Sequence, residues 1–272
     1  MANIGMTTSQ MNKPSVGLFV TCLVDTFRPS VGFASIKLLE DAGCQVTIPE
    51  QQTCCGQPGY NPGDYESAAK VAKHTIPLFL DFDYLVAPSG SCAGMIKHHY
   101  PKLLKDEPEW YDKAKKLSEK TFELTSFLHD VLQVKPKSTG TVSSETYTFH
   151  DSCAGLRELN IKDQPRSLLK SFNNIEIEEL QNTDECCGFG GTFCAKMPHI
   201  SDAMVTDKLL AAEATGATTL LGGDMGCLLN IAGKASRQES NLKVRHVAEV
   251  LAGQLDAPAI GCALTSTKEP IK

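Results

Sequence analysis

Glu185-Cys186-Cys187-Gly188-Phe189-Gly190-Gly191 sets two adjacent cysteines directly before glycine, and Thr53-Cys54-Cys55-Gly56-Gln57 repeats the pattern in weaker form. Neighbouring side chains point in different directions along any regular backbone, so two adjacent sulfurs meet one partner only where the chain turns around it. Glycine permits that turn, because it accepts positive φ and lets the backbone approach a bulky group. Soft thiolates crowded on such a turn favour soft-metal chemistry, above all iron–sulfur clusters and zinc.

Outward from the two pairs, the chain reads as one plan written twice. Ser15 to Thr21 is an apolar run that predicts a buried strand ending at Cys22, and Ser30 to Gly43 has helical spacing. Gln45 to Pro49 predicts a second strand before the Cys54-Cys55 loop. Asp64 is placed to cap a helix in which Pro77 is a kink or a stop. Tyr84 to Pro88 is a third strand, turning through Ser89-Gly90-Ser91 into Cys92, and Trp110 to Leu132 reads as a helical region with a candidate break at Thr121. Lys135 to Thr146, with Pro, Gly, Ser and Thr and little apolar content, is the best linker candidate.

The plan then restarts. Tyr147 to His150 is a strand delivering Cys153, Gln164 to Phe172 a helix, and Ile175 to Ile177 a strand before the Cys186-Cys187 loop. Ser201 to Thr215 is a helix, and Thr218 to Leu221 a third strand leading through Gly222-Gly223 to Cys227. Val244 to Leu251 echoes Leu124 to Leu132. Cys22 and Cys153 are 131 residues apart, the two pairs 132, and Cys92 and Cys227 135. Four cysteines keeping one register over that distance indicate an internal duplication. Strands alternating with helices predict an α/β fold of two duplicated Rossmann-like lobes with parallel sheets, pseudo-twofold related. The repeats are read as 14–134 and 145–254, with polar tails at 1–13 and 255–272. Neighbouring strand ends in a parallel sheet lie about 5 Å apart, so the three cysteine-bearing loops of each half can converge.

Composition narrows the chemistry. The 272 residues are 42% hydrophobic and 21% charged, the balance of an ordinary globular protein. A net charge of −6 with no basic run argues against a nucleic-acid partner. Met1 to Lys13 lacks an apolar signal core and no apolar run is long enough to span a bilayer, so a cytoplasmic protein without a membrane span is expected. A disulfide framework suits neither that compartment nor an odd count of eleven cysteines. Structural zinc usually draws on close CxxC knuckles, which this pattern lacks, so spacing favours iron–sulfur; a zinc-stapled structural protein is the alternative. No G-x-G-x-x-G is present to suggest a nicotinamide or flavin site.

The order Cys, long gap, Cys-Cys-Gly, long gap, Cys resembles the duplicated cysteine-rich (CCG) domain of heterodisulfide reductase, found also in the glycolate oxidase iron–sulfur subunit and in iron–sulfur oxidoreductases of the lactate-utilisation protein A type. Cys186-Cys187-Gly188-Phe189-Gly190-Gly191-Thr192-Phe193, His150-Asp151-Ser152-Cys153 and Arg157-Glu158-Leu159 look closest to the lactate-utilisation branch. So does the length, which leaves no room for a ferredoxin-like CxxCxxC domain. The likeness runs from about Ser15 to Leu251. It implies that Cys22, Cys54, Cys55 and Cys92 hold one cluster and Cys153, Cys186, Cys187 and Cys227 a second, each an ordinary [4Fe–4S] cluster. It also implies two partners, a ferredoxin-like iron–sulfur subunit and a third small subunit, in a complex oxidising L-lactate to pyruvate. The heterodisulfide reductase domain has a fifth cysteine per repeat, where this chain has Met95 and Asn230, which counts against thiol–disulfide chemistry at the iron. Ala154 stands where many relatives have histidine. The alternatives are a heterodisulfide reductase-like redox subunit and a glycolate oxidase-type subunit.

Other residues carry plainer readings. Cys44 and Cys262 fall outside the repeat register and read as packing or surface residues, while Cys194 lies near the second pair without a first-half counterpart. His150 has two readings, a donor to a cluster sulfur or a satisfied histidine at a strand end. Arg157 reads as an exposed helix arginine, and Glu176, Glu178 and Glu179 as a solvated edge. His98, His99, His129 and His246 sit in helical patterns that need no function. The first half has Gln57-Pro58-Gly59 where the second has Phe189-Gly190-Gly191, which leaves open whether both halves hold a cluster.

Overall fold

Val16, Leu18 and Phe19 are fully buried, as are Leu85, Val86 and Ala87 on the neighbouring strand, because parallel strands flanked by helices on both faces meet no water. The computed structural model describes residues 13–135 and 145–262. In it β1 (Ser15–Leu18), β2 (Gln45–Thr47), β3 (Tyr84–Ala87) and β4 (Thr121–Glu123) form a sheet in the order β2-β1-β3-β4. A second sheet, β6-β5-β7-β8, is built from β5 (Tyr147–His150), β6 (Ile177–Glu178), β7 (Thr219–Gly222) and β8 (Lys243–His246). Every pairing is parallel, and Val16 lies opposite Tyr84 as Tyr147 lies opposite Thr219. The fold is therefore α/β with two similar lobes. Strand order reverses between β1 and β3 and between β5 and β7, the position in an open parallel sheet where a crevice forms at the carboxyl ends.

Three strands per half are expected from the sequence, and among the described residues each lobe has four. β4 and β8 are short and run straight into helices with no glycine or proline between; Glu123 and His246 end their strands and cap the helices that follow. The region Trp110 to Leu132 accordingly divides into the Pro108–Glu119 helix, β4 and the helical turns Leu124–Ser126 and Phe127–Val131. Pro77 does not itself stop its helix, which runs Tyr65–Phe79 from an Asp64 cap and ends two residues beyond the proline. Most of the expected linker, and the expected tails apart from Lys13 and residues 255–262, lie outside the described residues.

The lobes meet by exchange. The Pro29–Asp41 helix packs on Val247–Leu251 of the second lobe, and its counterpart Asp163–Asn173 packs on Leu124–Ser126 of the first. Likewise Cys22–Phe27 meets Met225–Arg237, and Gly90–Gly94 meets Cys153–Glu158. At the last crossing a Cβ on Gly90 would sit 2.9 Å from the Gly155 backbone, so only glycine allows the approach. One apolar cluster runs through both lobes, joining Val16, Leu18 and Phe127 to Phe149, Leu220 and Val247.

Across this interface Arg28 donates to Glu249 at 2.8 and 3.2 Å, and Ser30 donates to the same carboxylate at 2.6 Å. Glu249 is fully buried and Arg28 nearly so. Removing one partner of such a pair strands the other charge, whereas apolar replacement of both avoids that penalty. Glu249→Leu should therefore lose about 3–5 kcal/mol of unfolding free energy in urea. Arg28→Met combined with Glu249→Leu should recover most of that loss.

Candidate metal centres

Each lobe delivers its cysteines in the same three ways. Cys22 and Cys153 are the first residues of helices that follow β1 and β5, capped by Thr21 and Ser152. Cys92 and Cys227 are the third residues of the Gly90–Gly94 and Met225–Arg237 helices, capped by Ser89 and Asp224. Thr21 holds φ at 77°, a strained value for a β-branched residue, directly before Cys22. The adjacent pairs are turned by Gly56 (φ 87°) and Gly188 (φ 81°). Each glycine donates its N–H to the first sulfur of its pair, Cys54 or Cys186, at 3.4 Å. The carbonyl of the second cysteine is held as well. Tyr100 Oη donates to Cys55 at 2.9 Å, and Asn230 Nδ2 donates to Cys187 at 2.8 Å.

The eight predicted cysteines come together as two sets of four. Cys22, Cys54, Cys55 and Cys92 line one cavity, where Cys54 bears on both Cys22 and Cys55, and Cys92 on Cys55. In the second lobe Cys186 bears on both Cys153 and Cys187, and Cys227 on Cys187. All eleven cysteines are free thiols. Donation from its neighbours holds Cys54 far below the usual thiol range, at about 3, and Cys186 at about 2. Giving that hydrogen bond, with burial added, pushes Cys22 and Cys153 up. Each set thus holds one sulfur that ionises readily, Cys54 or Cys186, beside one whose proton is held tightly, Cys22 or Cys153. Cys44 lies in the apolar core, Cys262 is exposed, and Cys194 donates to the Gly191 carbonyl at 3.4 Å.

His150 comes to the second set, though at Cys187 and Cys227 and not at the nearby Cys153. One of its ring nitrogens lies within 4.8 Å of both sulfurs, and all three residues are buried. Burial pushes its pKa down to about 3, so the ring is neutral. Arg157 is exposed and donates to the Asp184 carbonyl at 2.8 Å, which ties its helix to the second cysteine loop. His98 and His99 reach Glu158 of the other lobe, and His246, a strand residue, meets the Pro88 carbonyl.

Sequence reasoning missed what joins the two sets. A cavity of about 160 Å³ is lined by all four cysteines of the first set and walled by Phe189, Thr192 and Met225 from the second lobe. The two cysteine loops touch where Asn61 donates to the Gly190 carbonyl at 3.4 Å. Behind them Asp224 accepts from Ser89 Oγ and Ser91 N, each at 3.0 Å, and from Gly226 N at 3.1 Å. One carboxylate therefore braces the helix of Cys92 while capping that of Cys227. The spacing of Asp224 before Cys227, matching Ser89 before Cys92, was the signal available.

Two parallel α/β lobes, each gathering four free thiols at strand ends around a Cys-Cys-Gly turn, define a duplicated cysteine-rich protein with two soft-donor sets. The Cysteine-rich domain family (CCG) matches twice, over residues 16–97 and 147–232, and the chain belongs to that family. Among its relatives, Lactate utilization protein A of Halalkalibacterium halodurans is 50% identical over 87% of this chain and 96% of its own length. The proteins of that name from Bacillus subtilis and Shouchella clausii are each 48% identical over 87% of this chain and 98% of their own length.

Glu123 stands beside this bracing. Its carboxylate accepts from Thr125 N and Oγ1 and from Ser126 N, yet burial, aided by the charge of Asp224, raises its pKa from 4.5 to about 7. A raised carboxyl binds its proton more tightly folded than unfolded. That contribution is complete below about pH 4.5 and is lost as pH rises through about 7. Between those limits the chain should lose about 3 kcal/mol of stability relative to Glu123→Gln, read from urea midpoints of both proteins across pH 4 to 8.

Proposed function

We propose that the chain is the iron–sulfur electron-transfer subunit of a cytoplasmic complex that oxidises L-lactate to pyruvate. The observation that carries this reading is the convergence, twice, of four free thiols on one locus. Four thiolates offer one ligand for each iron of a [4Fe–4S] cluster, and thiolate is the donor such clusters take. In this reading Cys22, Cys54, Cys55 and Cys92 hold one cluster and Cys153, Cys186, Cys187 and Cys227 the other, within repeats taken as 14–134 and 145–254. A cluster bound there supplies one-electron transfer. The chain's own part is to position and tune. Gly56 and Gly188 turn the pairs and direct N–H groups at a sulfur, while Tyr100 and Asn230 fix the backbone behind them.

The lactate assignment is supported by relatives named for lactate utilization that are about half identical to this chain along nearly their whole length. The partners in this reading are a ferredoxin-like iron–sulfur subunit and a third small subunit, so the chain is a component of an oxidoreductase and inactive alone. Among the described residues no helix is long and apolar enough to cross a membrane. The test is iron and acid-labile sulfide on anaerobically purified protein. About eight irons per chain are expected. Cys54→Ser with Cys55→Ser should remove about half of them, and Cys186→Ser with Cys187→Ser the other half. Zinc, or no metal in protein never exposed to oxygen, overturns the reading.

A further inference from the structure

Phe19 and His150 hold the same place in the two repeats, three residues before Cys22 and Cys153. Phe19 is fully buried, packs on Phe79 with ring centroids 5.7 Å apart, and belongs to the core around Cys55 and Cys92. His150 is just as buried, with 1% of its surface exposed, but neither ring nitrogen has a hydrogen-bond partner. Leaving a buried polar atom unpaired is costly, so a ring with both nitrogens unpaired marks a place where something else is met. Lys208, the cation that bears on His150, is itself engaged, donating to the Asn182 carbonyl at 3.1 Å. What remains beside the ring is the sulfur pair Cys187 and Cys227.

Four thiols already supply one ligand per iron, so the ring is surplus as a ligand. A neutral imidazole also holds one N–H. We propose that His150 donates this N–H to a sulfur of the group bound by Cys153, Cys186, Cys187 and Cys227, so that the second centre has a higher reduction potential than the first. The proposal rests on the iron–sulfur reading above. A hydrogen bond to cluster sulfur favours the reduced, more negative state. The glycine donors are matched between lobes: Gly56 N–H on Cys54 is mirrored by Gly188 N–H on Cys186, both at 3.4 Å. Tyr100 and Asn230 both serve carbonyls. The imidazole is the side-chain donor that the second repeat has where the first has Phe19, and it sets the direction of electron flow within the chain, from the first centre to the second.

The experiment is a potentiometric titration of the anaerobic full-length protein, followed by electron paramagnetic resonance, on wild type, His150→Phe, His150→Gln and Phe19→His. In His150→Phe one of two midpoints should fall by about a tenfold change in the reduced-to-oxidised ratio, ~59 mV for a one-electron couple. The other midpoint and the iron content should not move. His150→Gln, which keeps an N–H, should restore part of the shift, and Phe19→His should raise the other midpoint. Full iron with both midpoints unmoved in His150→Phe overturns the proposal, and so does loss of about four irons, which would make the imidazole a ligand. If His150→Phe does not fold, Phe19→His decides alone: a raised midpoint supports the donor role and an unmoved one overturns it. Wild-type protein without iron fails the iron–sulfur reading itself, before any variant is compared.

Discussion

Gathering four cysteines at the strand ends of each sheet, with no disulfide among them, is the constraint on which both lobes depend. Adjacent cysteines cannot converge along a regular strand or helix, so each lobe must reverse its chain at a glycine of positive φ. The other two cysteines of each set must then come from strand ends that lie next to one another. In the observed order β1 and β3 are neighbours, as are β5 and β7, and the helices that follow them start with or soon reach a cysteine. A parallel sheet meets this requirement because all its carboxyl ends open on one edge. The rest of the lobe is what keeps those ends fixed.

Neither lobe does this alone. The helices that bear Cys22 and Cys227 pack together, as do those that bear Cys92 and Cys153, so each first-strand cysteine is seated on the other lobe. Asp224 makes the dependence explicit by capping one helix and accepting from the loop of the other. The buried Arg28–Glu249 pair and the shared apolar cluster act in the same sense. Duplication has therefore not produced two independent binding units; it has produced one body with two soft-donor sets built into a common interface.

Much of this was legible in the sequence, and the limits are physical. The cysteine register, the glycine turns and six of the eight strands follow from local pattern, because apolar runs and glycine placement report local backbone. β4 and β8 escape it because a strand of three or four residues that passes directly into a helix leaves no period to read and no breaker to mark the change. Arg28 and Glu249 are 221 residues apart and Ser89 and Asp224 135, and no local rule links such pairs. His150 was legible as a residue near a cysteine, but its place at Cys187 and Cys227 follows from the sheet bringing β5 beside β7, which only the fold supplies.

The repeats differ where they would be expected to match. Gln57-Pro58-Gly59 and Phe189-Gly190-Gly191 follow equivalent cysteine pairs, and the sequence alone invites the idea that one half has lost its group. In the fold each half has its four cysteines at strand ends, and the divergent loops meet each other at Asn61 and Gly190. Phe189 reaches over from the second lobe to wall the first set, which its first-lobe counterpart, Gln57, lines from the near side. A duplicated scaffold relieved of symmetry at a few side chains can give its two sets different surroundings on identical backbones. Phe19 against His150, and Met95 against Asn230, are substitutions of that kind. They leave the donor sets alone and change what stands next to them, which is how a symmetric fold acquires a direction.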